Sequence, residues 1–191
     1  MYMTSDPLYQ ALAEGQRVGA LGTTDLRDAI EHARRFVAAI PVNAGPLIDL
    51  GSGGGLPGLV IAWDRPDLQC VLVDRRQKRT DVVQRLVARL GLHDRVRVLC
   101  RDLDHLSRDP AFRAGCGVLT ARSFGTPEQV LRMSTPLARP GALLLVSEPP
   151  GSDGDRWDRV AALMGWRVLG VADGLVRLEL VDVSRETSTT P

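Results

Sequence analysis

Apolar residues recur at helical spacing through Leu26, Ile30, Ala33, Phe36, Val37 and Ile40. This predicts an amphipathic helix capped by Thr23-Thr24-Asp25 and stopped by Pro41. Residues 8–20 carry a weaker helical pattern. From residue 47 the pattern changes. Short apolar runs at 47–50, 68–73, 96–99, 117–120 and 142–146 read as strands, and segments 57–63, 77–90 and 127–137 read as helices between them. In the second of these helices Val82, Val83, Leu86, Val87 and Leu90 share one face, and Gly91 ends it. Trp157, Val160, Ala161 and Met164 form a last helix face. Residues 166–171 and 175–183 then read as two strands joined at Ala172-Asp173-Gly174. Alternation of this kind implies a parallel sheet with helices on both faces, and the closing pair makes the sheet mixed at one edge.

The strongest chemical signal lies between the first strand and the helix after it, in the run LIDLGSGGGLPG from Leu47 to Gly58. Glycines at the carboxyl end of a strand let the backbone approach a ligand closely, and open α/β sheets bind ligands there. A dinucleotide fingerprint started at Gly51 fails because position 56 is leucine. Started at Gly53 it meets Gly55 and Gly58, but two residues away from the strand end. No Gly-Lys-Ser/Thr follows, which excludes a phosphate-binding P-loop. Asp49-x-Gly51-x-Gly53-x-Gly55 is similar to the S-adenosylmethionine loop of class I methyltransferases, with Asp49 able to hold an ammonium group directly or through water. Asp74 ends the second strand, where a carboxylate can take both hydroxyls of a ribose; NAD enzymes also place an acid here. Asp102 follows the third strand, a second polar group at the same edge.

Composition narrows the class. The 191 residues suit one domain, and 24 Lys+Arg against 23 Asp+Glu leave a net charge of +1. No apolar run reaches a membrane span and the start has neither a basic nor an apolar leader region, so the expected location is the cytoplasm, with no membrane partner. Cys70, Cys100 and Cys116 are odd in number and widely spaced. They form neither a disulfide framework nor a zinc pattern and are expected to be buried thiols, and no metal site is expected. The near-neutral total hides a local excess. Residues 75–101 hold nine basic groups against Asp81 and Asp94, and only Lys78 is a lysine. Arginines can bind phosphate through two donors at once, so a nucleic-acid contact, if present, must be local.

A specific family comes into view at several points. Asp49-Leu-Gly-Ser-Gly-Gly-Gly-Leu-Pro-Gly58, Arg65-Pro-Asp-Leu68, Val73-Asp74, Gln77-Lys78-Arg79, Thr120-Ala-Arg-Ser-Phe124 and Pro136-Leu-Ala-Arg-Pro-Gly141 together resemble the 16S rRNA guanine-N7 methyltransferases, the glucose-inhibited division protein B family. The resemblance implies a class I methyltransferase Rossmann-like fold, a seven-stranded mixed sheet with an antiparallel C-terminal hairpin. It implies S-adenosyl-L-methionine as cofactor and 16S rRNA or the small ribosomal subunit as partner. The cofactor-binding residues would be Asp49, Gly51, Ser52, Gly53, Gly55, Leu56, Pro57, Asp74, Arg75, Asp102, Leu103 and Arg122, and the substrate-binding residues Arg122, Ser123 and Phe124. No catalytic base is expected, because guanine N7 carries a lone pair and no proton. The chain divides into a helical extension (1–45), a methyltransferase domain (46–183) and a polar tail (184–191), and a monomer is favoured. It also departs from the family pattern. The segment before the loop is shorter, Arg35 stands where the family places an acid three residues after the histidine so that His32 reads as a plain helix histidine, and Glu148 stands where the family tends to place lysine. These departures lie on the substrate side. They leave open a methyltransferase of the same fold with another substrate, and a cofactor-binding module without rRNA activity. The glycine frame disfavours an NAD-linked reductase.

Overall fold

The structure is a computed structural model and describes residues 6–181. Two helices precede the sheet, α1 (Pro7–Arg17) and α2 (Leu26–Ala39). Each is started by an aspartate that accepts from a backbone N–H two residues on: Asp6 from Leu8 and Asp25 from Arg27. The strands and helices that follow are β1 (Leu47–Leu50), α3 (Gly58–Asp64), β2 (Cys70–Asp74), α4 (Gln77–Arg89), β3 (Val96–Cys100), α5 (Leu103–Arg108), β4 (Cys116–Ala121), α6 (Pro127–Ser134), β5 (Ala138–Ser147), α7 (Asp155–Leu163), β6 (Trp166–Ala172) and β7 (Leu175–Leu180). A single 3-10 turn (Pro110–Phe112) lies between α5 and β4.

Among the described residues seven strands join one sheet in the order β3-β2-β1-β4-β5-β7-β6. The first five pair in parallel, and β7 runs antiparallel to both β5 and β6. The expected mixed sheet with a closing hairpin is therefore formed. The strand order reverses between β1 and β4, so the loops after these two strands face each other at the carboxyl edge. That crevice is where a doubly wound sheet binds ligands.

Alternate strand residues feed two cores. Leu47, Leu72, Val118 and Leu145 pack with α1, α2, α3 and α4, while Ile48, Leu50, Val73, Leu119 and Leu144 pack with α5, α6 and α7. The first pair of helices is part of the first core: Leu8, Ala11 and Leu12 of α1 and Phe36 of α2 are wholly buried. The weak pattern over 8–20 thus understates α1, whose stability comes from packing on α4 rather than from intrinsic propensity.

Other boundaries moved for physical reasons. The α6 helix ends at Ser134, and β5 begins at Ala138, four residues before its apolar run. The α5 helix has six residues and the mixed sequence LDHLSR, too short to show a period. Cys70 and Cys116 are buried as expected, but Cys100 is exposed, because it closes β3 at the edge of the sheet. The expected tail at 184–191 lies outside the described residues, as do 182 and 183 of the last predicted strand. Among the described residues no helix is long and apolar enough to cross a membrane, and no group of three or more His, Cys, Asp or Glu could hold a metal ion.

Candidate functional site

Two carboxylates hold the glycine loop. Asp49 on β1 is completely buried; its Oδ2 accepts from Gly58 N at 3.0 Å and its Oδ1 from Thr120 Oγ1 at 2.7 Å. It therefore clamps the start of α3 to β4. Burial pushes its carboxyl up to about 6, against the two hydrogen bonds and the Arg122 charge, which favour ionisation. Gly58 is required at this contact, since a Cβ there would lie 2.2 Å from Leu72 and 2.7 Å from Asp49 Oδ2. Asp74 at the end of β2 accepts from Gly53 N at 3.0 Å and from Arg76 N at 2.8 Å, and Ser52 N donates to Val73 O at 2.8 Å. The loop is thus pinned to β1 and β2.

The connection between α1 and α2 closes over the loop. Gln16 Nε2 donates to Gly22 O at 2.7 Å and Thr24 O at 2.9 Å, which fixes residues 18–25 against α1. Ala20 O and the Leu21 side chain then press on Gly54, where a Cβ would lie 2.6 Å from each.

Three hollows open along the carboxyl edge. The loop hollow, about 250 Å³, is lined by Ala20, Leu21, Gly51, Ser52, Gly53, Gly54, Leu56, Arg79, Arg122 and Ser123. The Asp74 hollow, about 480 Å³, is lined by Gly51, Asp74, Arg75, Arg76, Arg79, Arg101, Asp102, Leu103, Phe124 and Met133, with Ser123 and Gly125 at its edge. The Glu148 cleft, about 450 Å³, is lined by His32, Arg122, Ser123, Gly125, Ser147, Glu148, Pro149 and Arg156. Ser123 borders all three and holds a positive φ of 52°. A serine in that conformation is strained, and strain of this kind concentrates at sites that need a particular backbone path.

Two polar atoms of the loop hollow are buried without a partner among the described residues, Ser52 Oγ and Arg122 Nη1. Burial lowers the pKa of Arg122, with the nearby Asp49 charge opposing the shift. An unsatisfied guanidinium N–H costs roughly 1–3 kcal/mol, which a ligand oxygen would offset. Asp102 caps α5 by accepting from Asp104 N at 2.8 Å and still borders the Asp74 hollow.

Most expected residues come together, though not all in the expected places. Gly51, Ser52, Gly53, Leu56 and Arg122 meet in the loop hollow, and Asp74, Arg75, Asp102 and Leu103 in the Asp74 hollow. Asp49, Gly55 and Pro57 line none of the three; they are buried beneath the loop and shape it from behind. Phe124 is expected, with Ser123, among the substrate contacts. It lies against Gly51 in the Asp74 hollow, where a Gly51 Cβ would meet its ring at 2.6 Å. His32 packs edge-on against Phe36, and burial, then Arg122 and Arg35, lower its pKa, which favours the neutral ring. Sequence reading misses Met133 and Arg156, neither of which carries a local motif.

The sequence profile of one family, rRNA small subunit methyltransferase G, matches residues 12–148. Among curated relatives, the ribosomal RNA small subunit methyltransferase G of Nocardioides sp. is 43% identical over 106 residues, covering 55% of this chain and 40% of that protein. The protein of the same name from Sorangium cellulosum is 32% identical over 174 residues, covering 86% of this chain and 68% of that protein. Against several relatives the match spans less than half their length, 47% for the Prochlorococcus marinus protein. Among solved structures, a geranyl diphosphate methyltransferase in complex with SAM superposes with a TM-score of 0.65 at 15% identity, over 80% of this chain and 85% of that one. The [4+2]-cyclase SpnF superposes with a TM-score of 0.62 at 20% identity, over 85% and 70%. At such identities the likeness describes the fold, and a cyclase on the same fold means that the fold alone does not name the reaction.

Proposed function

The chain belongs to the rRNA small subunit methyltransferase G family, and from that premise we propose that it transfers a methyl group from S-adenosyl-L-methionine to N7 of a guanine in 16S rRNA. The observation that carries this reading is the run of three hollows meeting at Ser123, with unpartnered donors in the middle one and an acid in the next. The donor set fits the cofactor. Asp74 would take the ribose hydroxyls, Asp102 and Leu103 would face the adenine with Phe124 and Met133 as apolar walls, and Arg122 would meet the amino-acid carboxylate. Asp49 would act through Gly58 by keeping the loop in place. When bound, the cofactor supplies a methyl group activated on a sulfonium centre.

The protein's share of the work is alignment. Guanine N7 needs no general base, so the loop, Ser123 and the 18–25 connection serve to set the approach line and exclude water. The substrate lies in the Glu148 cleft, which joins the loop hollow through Arg122 and Ser123. The cytoplasm is the compartment that suits an rRNA substrate. A second reading, a methyltransferase of the same fold acting on a small anionic molecule, draws on the moderate size of that cleft, about 450 Å³.

Incubating the purified protein with methyl-labelled S-adenosylmethionine and small ribosomal subunits from cells lacking it decides between them. Label in one guanine of the 16S rRNA supports the rRNA reading. Measured cofactor binding with no label in RNA would move the weight to the second, and binding of NAD in place of S-adenosylmethionine would sink both.

A further inference from the structure

The Glu148 cleft holds an arrangement that the cofactor does not use. The Glu148 side chain is fully buried and accepts four hydrogen bonds: from Arg156 Nε at 3.1 Å, Arg156 Nη2, Ser152 Oγ at 2.6 Å and Trp157 Nε1 at 2.9 Å. Burial alone would raise its pKa, but Arg156, Ser152 and Trp157 outweigh burial and hold it below the usual carboxylate value. Arg156 also lies over the Trp157 ring, 5.5 Å from its centroid. A carboxylate on one edge and an aromatic face thus fix a guanidinium whose side chain remains 47% exposed.

The free edge is the informative one. Glu148 occupies the Nε–Nη2 edge, and Nη1 has no partner among the described residues. The end-on pair, Nη1 with the second Nη2 hydrogen, is left as a planar fork that matches two oxygens of a phosphate. Arg122 lines the same cleft, and the exposed Arg35, whose charge acts on His32 of the cleft wall, donates to Asp173 O at 3.2 Å. The one acid among the lining residues, Glu148, is paired with Arg156, so no unpaired negative charge of the lining opposes an incoming phosphate. The position matters as much as the charge. Arg156 lines neither the loop hollow nor the Asp74 hollow, and it is open to solvent. It can therefore reach a group next to the reacting base rather than the base itself.

We propose that Arg156 is a positioning residue for RNA, a phosphate anchor that Glu148, Ser152 and Trp157 hold ready for the phosphodiester adjoining the target guanine. This rests on the rRNA reading above. Preorganisation is the gain: the rotamer entropy of a long side chain is given up on folding and not on binding.

The test uses the full chain with labelled S-adenosylmethionine and small subunits from cells lacking the protein. The variants are Arg156→Gln, Arg156→Lys and Glu148→Gln. Arg156→Gln raises KM for the subunit about tenfold and changes kcat by less than about twofold, the scale of one charged hydrogen-bonded contact made equally in ground and transition states. The slope of log KM against log salt becomes shallower by about 0.7–0.9, the loss of one phosphate contact. Arg156→Lys recovers part of the loss, since an ammonium still binds phosphate as a point charge. Glu148→Gln keeps the salt slope, because the charge remains, and raises KM by a smaller factor. Affinity for S-adenosylmethionine, read by calorimetry, stays at the wild-type value in all three. Arg156→Gln with wild-type KM and salt slope overturns the proposal while leaving the rRNA reading intact. So does a loss confined to kcat, or one matched by weaker cofactor binding. A wild-type protein that labels no RNA overturns both. Should Arg156→Gln fail to fold, Arg156→Lys and Glu148→Gln decide alone, and an unchanged KM in both is then the refuting result.

Discussion

Replacing Asp49 by asparagine tests how the glycine loop is held. The group is completely buried, and its carboxyl is pushed from 3.8 to about 6 by burial. The sign follows from linkage. A carboxyl that binds its proton more tightly in the folded chain is neutral in both states well below pH 3.8, and there it costs nothing. As pH rises through the window from 3.8 to about 6, the unfolded chain releases the proton first and the fold loses stability. Above about 6 the loss is complete, at about 3 kcal/mol for that difference in pKa. Asparagine has the same shape. Its oxygen can accept from Gly58 N, and the Thr120 hydroxyl can turn to accept from the amide, so little packing changes. The stability difference between Asp49→Asn and wild type therefore grows in favour of the variant by up to about 3 kcal/mol between roughly pH 4 and pH 6.5, then levels off.

Urea unfolding of both proteins at half-unit steps from pH 4 to pH 8 measures this directly. Every other titrating group is shared, so the difference curve isolates Asp49. A flat difference refutes the argument that burial outweighs the Gly58 and Thr120 bonds. A variant that loses ground as pH rises refutes it more strongly, because the charge would then be stabilising.

The loop itself gives further tests. Gly53 has a φ of +56° and 3.5 Å of clearance to the nearest atom of Arg79, so Gly53→Arg folds at a cost of about 1–2 kcal/mol. It fills the loop hollow with a third cation beside Arg79 and Arg122; calorimetry should find no cofactor binding, and wild-type affinity would show that the hollow is not the site. Gly54→Ala places a methyl 2.6 Å from Ala20 O and Leu21, so it should cost about 1–3 kcal/mol and loosen residues 18–25. Unchanged stability and unchanged amide exchange there would show that the connection does not bear on the loop. The neutral ring of His32 is favoured by burial, Arg122 and Arg35, so it should titrate below 6.5 by NMR, and its contribution to stability should fade as pH drops below that value. A midpoint at or above 6.5 would mean that the side chain is solvated.

The strands of this sheet were legible because β1 and β4 are buried on both faces and read as unbroken apolar runs between glycines and polar turns. α2 was legible from its period, while α1 was faint because only one narrow face meets α4. The α5 helix was invisible at six residues, and Cys100 was misjudged because a run that looks like an inner strand can equally be the exposed edge. The site divides in the same way. The glycine spacing and Asp74 are local signals, and they mark a ligand-binding loop through chain order alone. What each residue does there depends on partners far off in the chain. Asp49 meets Thr120 across 71 positions, and residues 18–25 reach Gly54 only through the fold. Phe124 and Ser123 are neighbours in sequence, yet Ser123 borders all three hollows and Phe124 only the Asp74 hollow, since the positive φ at Ser123 turns the chain between them.

The carboxylates and guanidinium groups of the site play unequal parts, and this bears on how a chain of net charge +1 can hold an anionic polymer. Asp49, Asp74, Asp102 and Glu148 each accept hydrogen bonds from the protein's own backbone or side chains. Arg75 and Arg76 make no ion pair among the described residues, and Arg122 and Arg156 each keep an open donor at the hollows. The acids are each engaged within the protein, with Asp74 and Asp102 still facing their hollow, and these arginines keep donors free for an anion. The positive field is then local to the carboxyl edge. At physiological salt, charges more than about 8 Å away are largely screened, so the acids spread over the rest of the surface do little to cancel it. The same screening means that the net charge draws RNA only weakly from a distance. On the proposed function, specific contact would therefore depend on a few preset arginines, and its salt dependence would count those contacts rather than the charge of the whole chain.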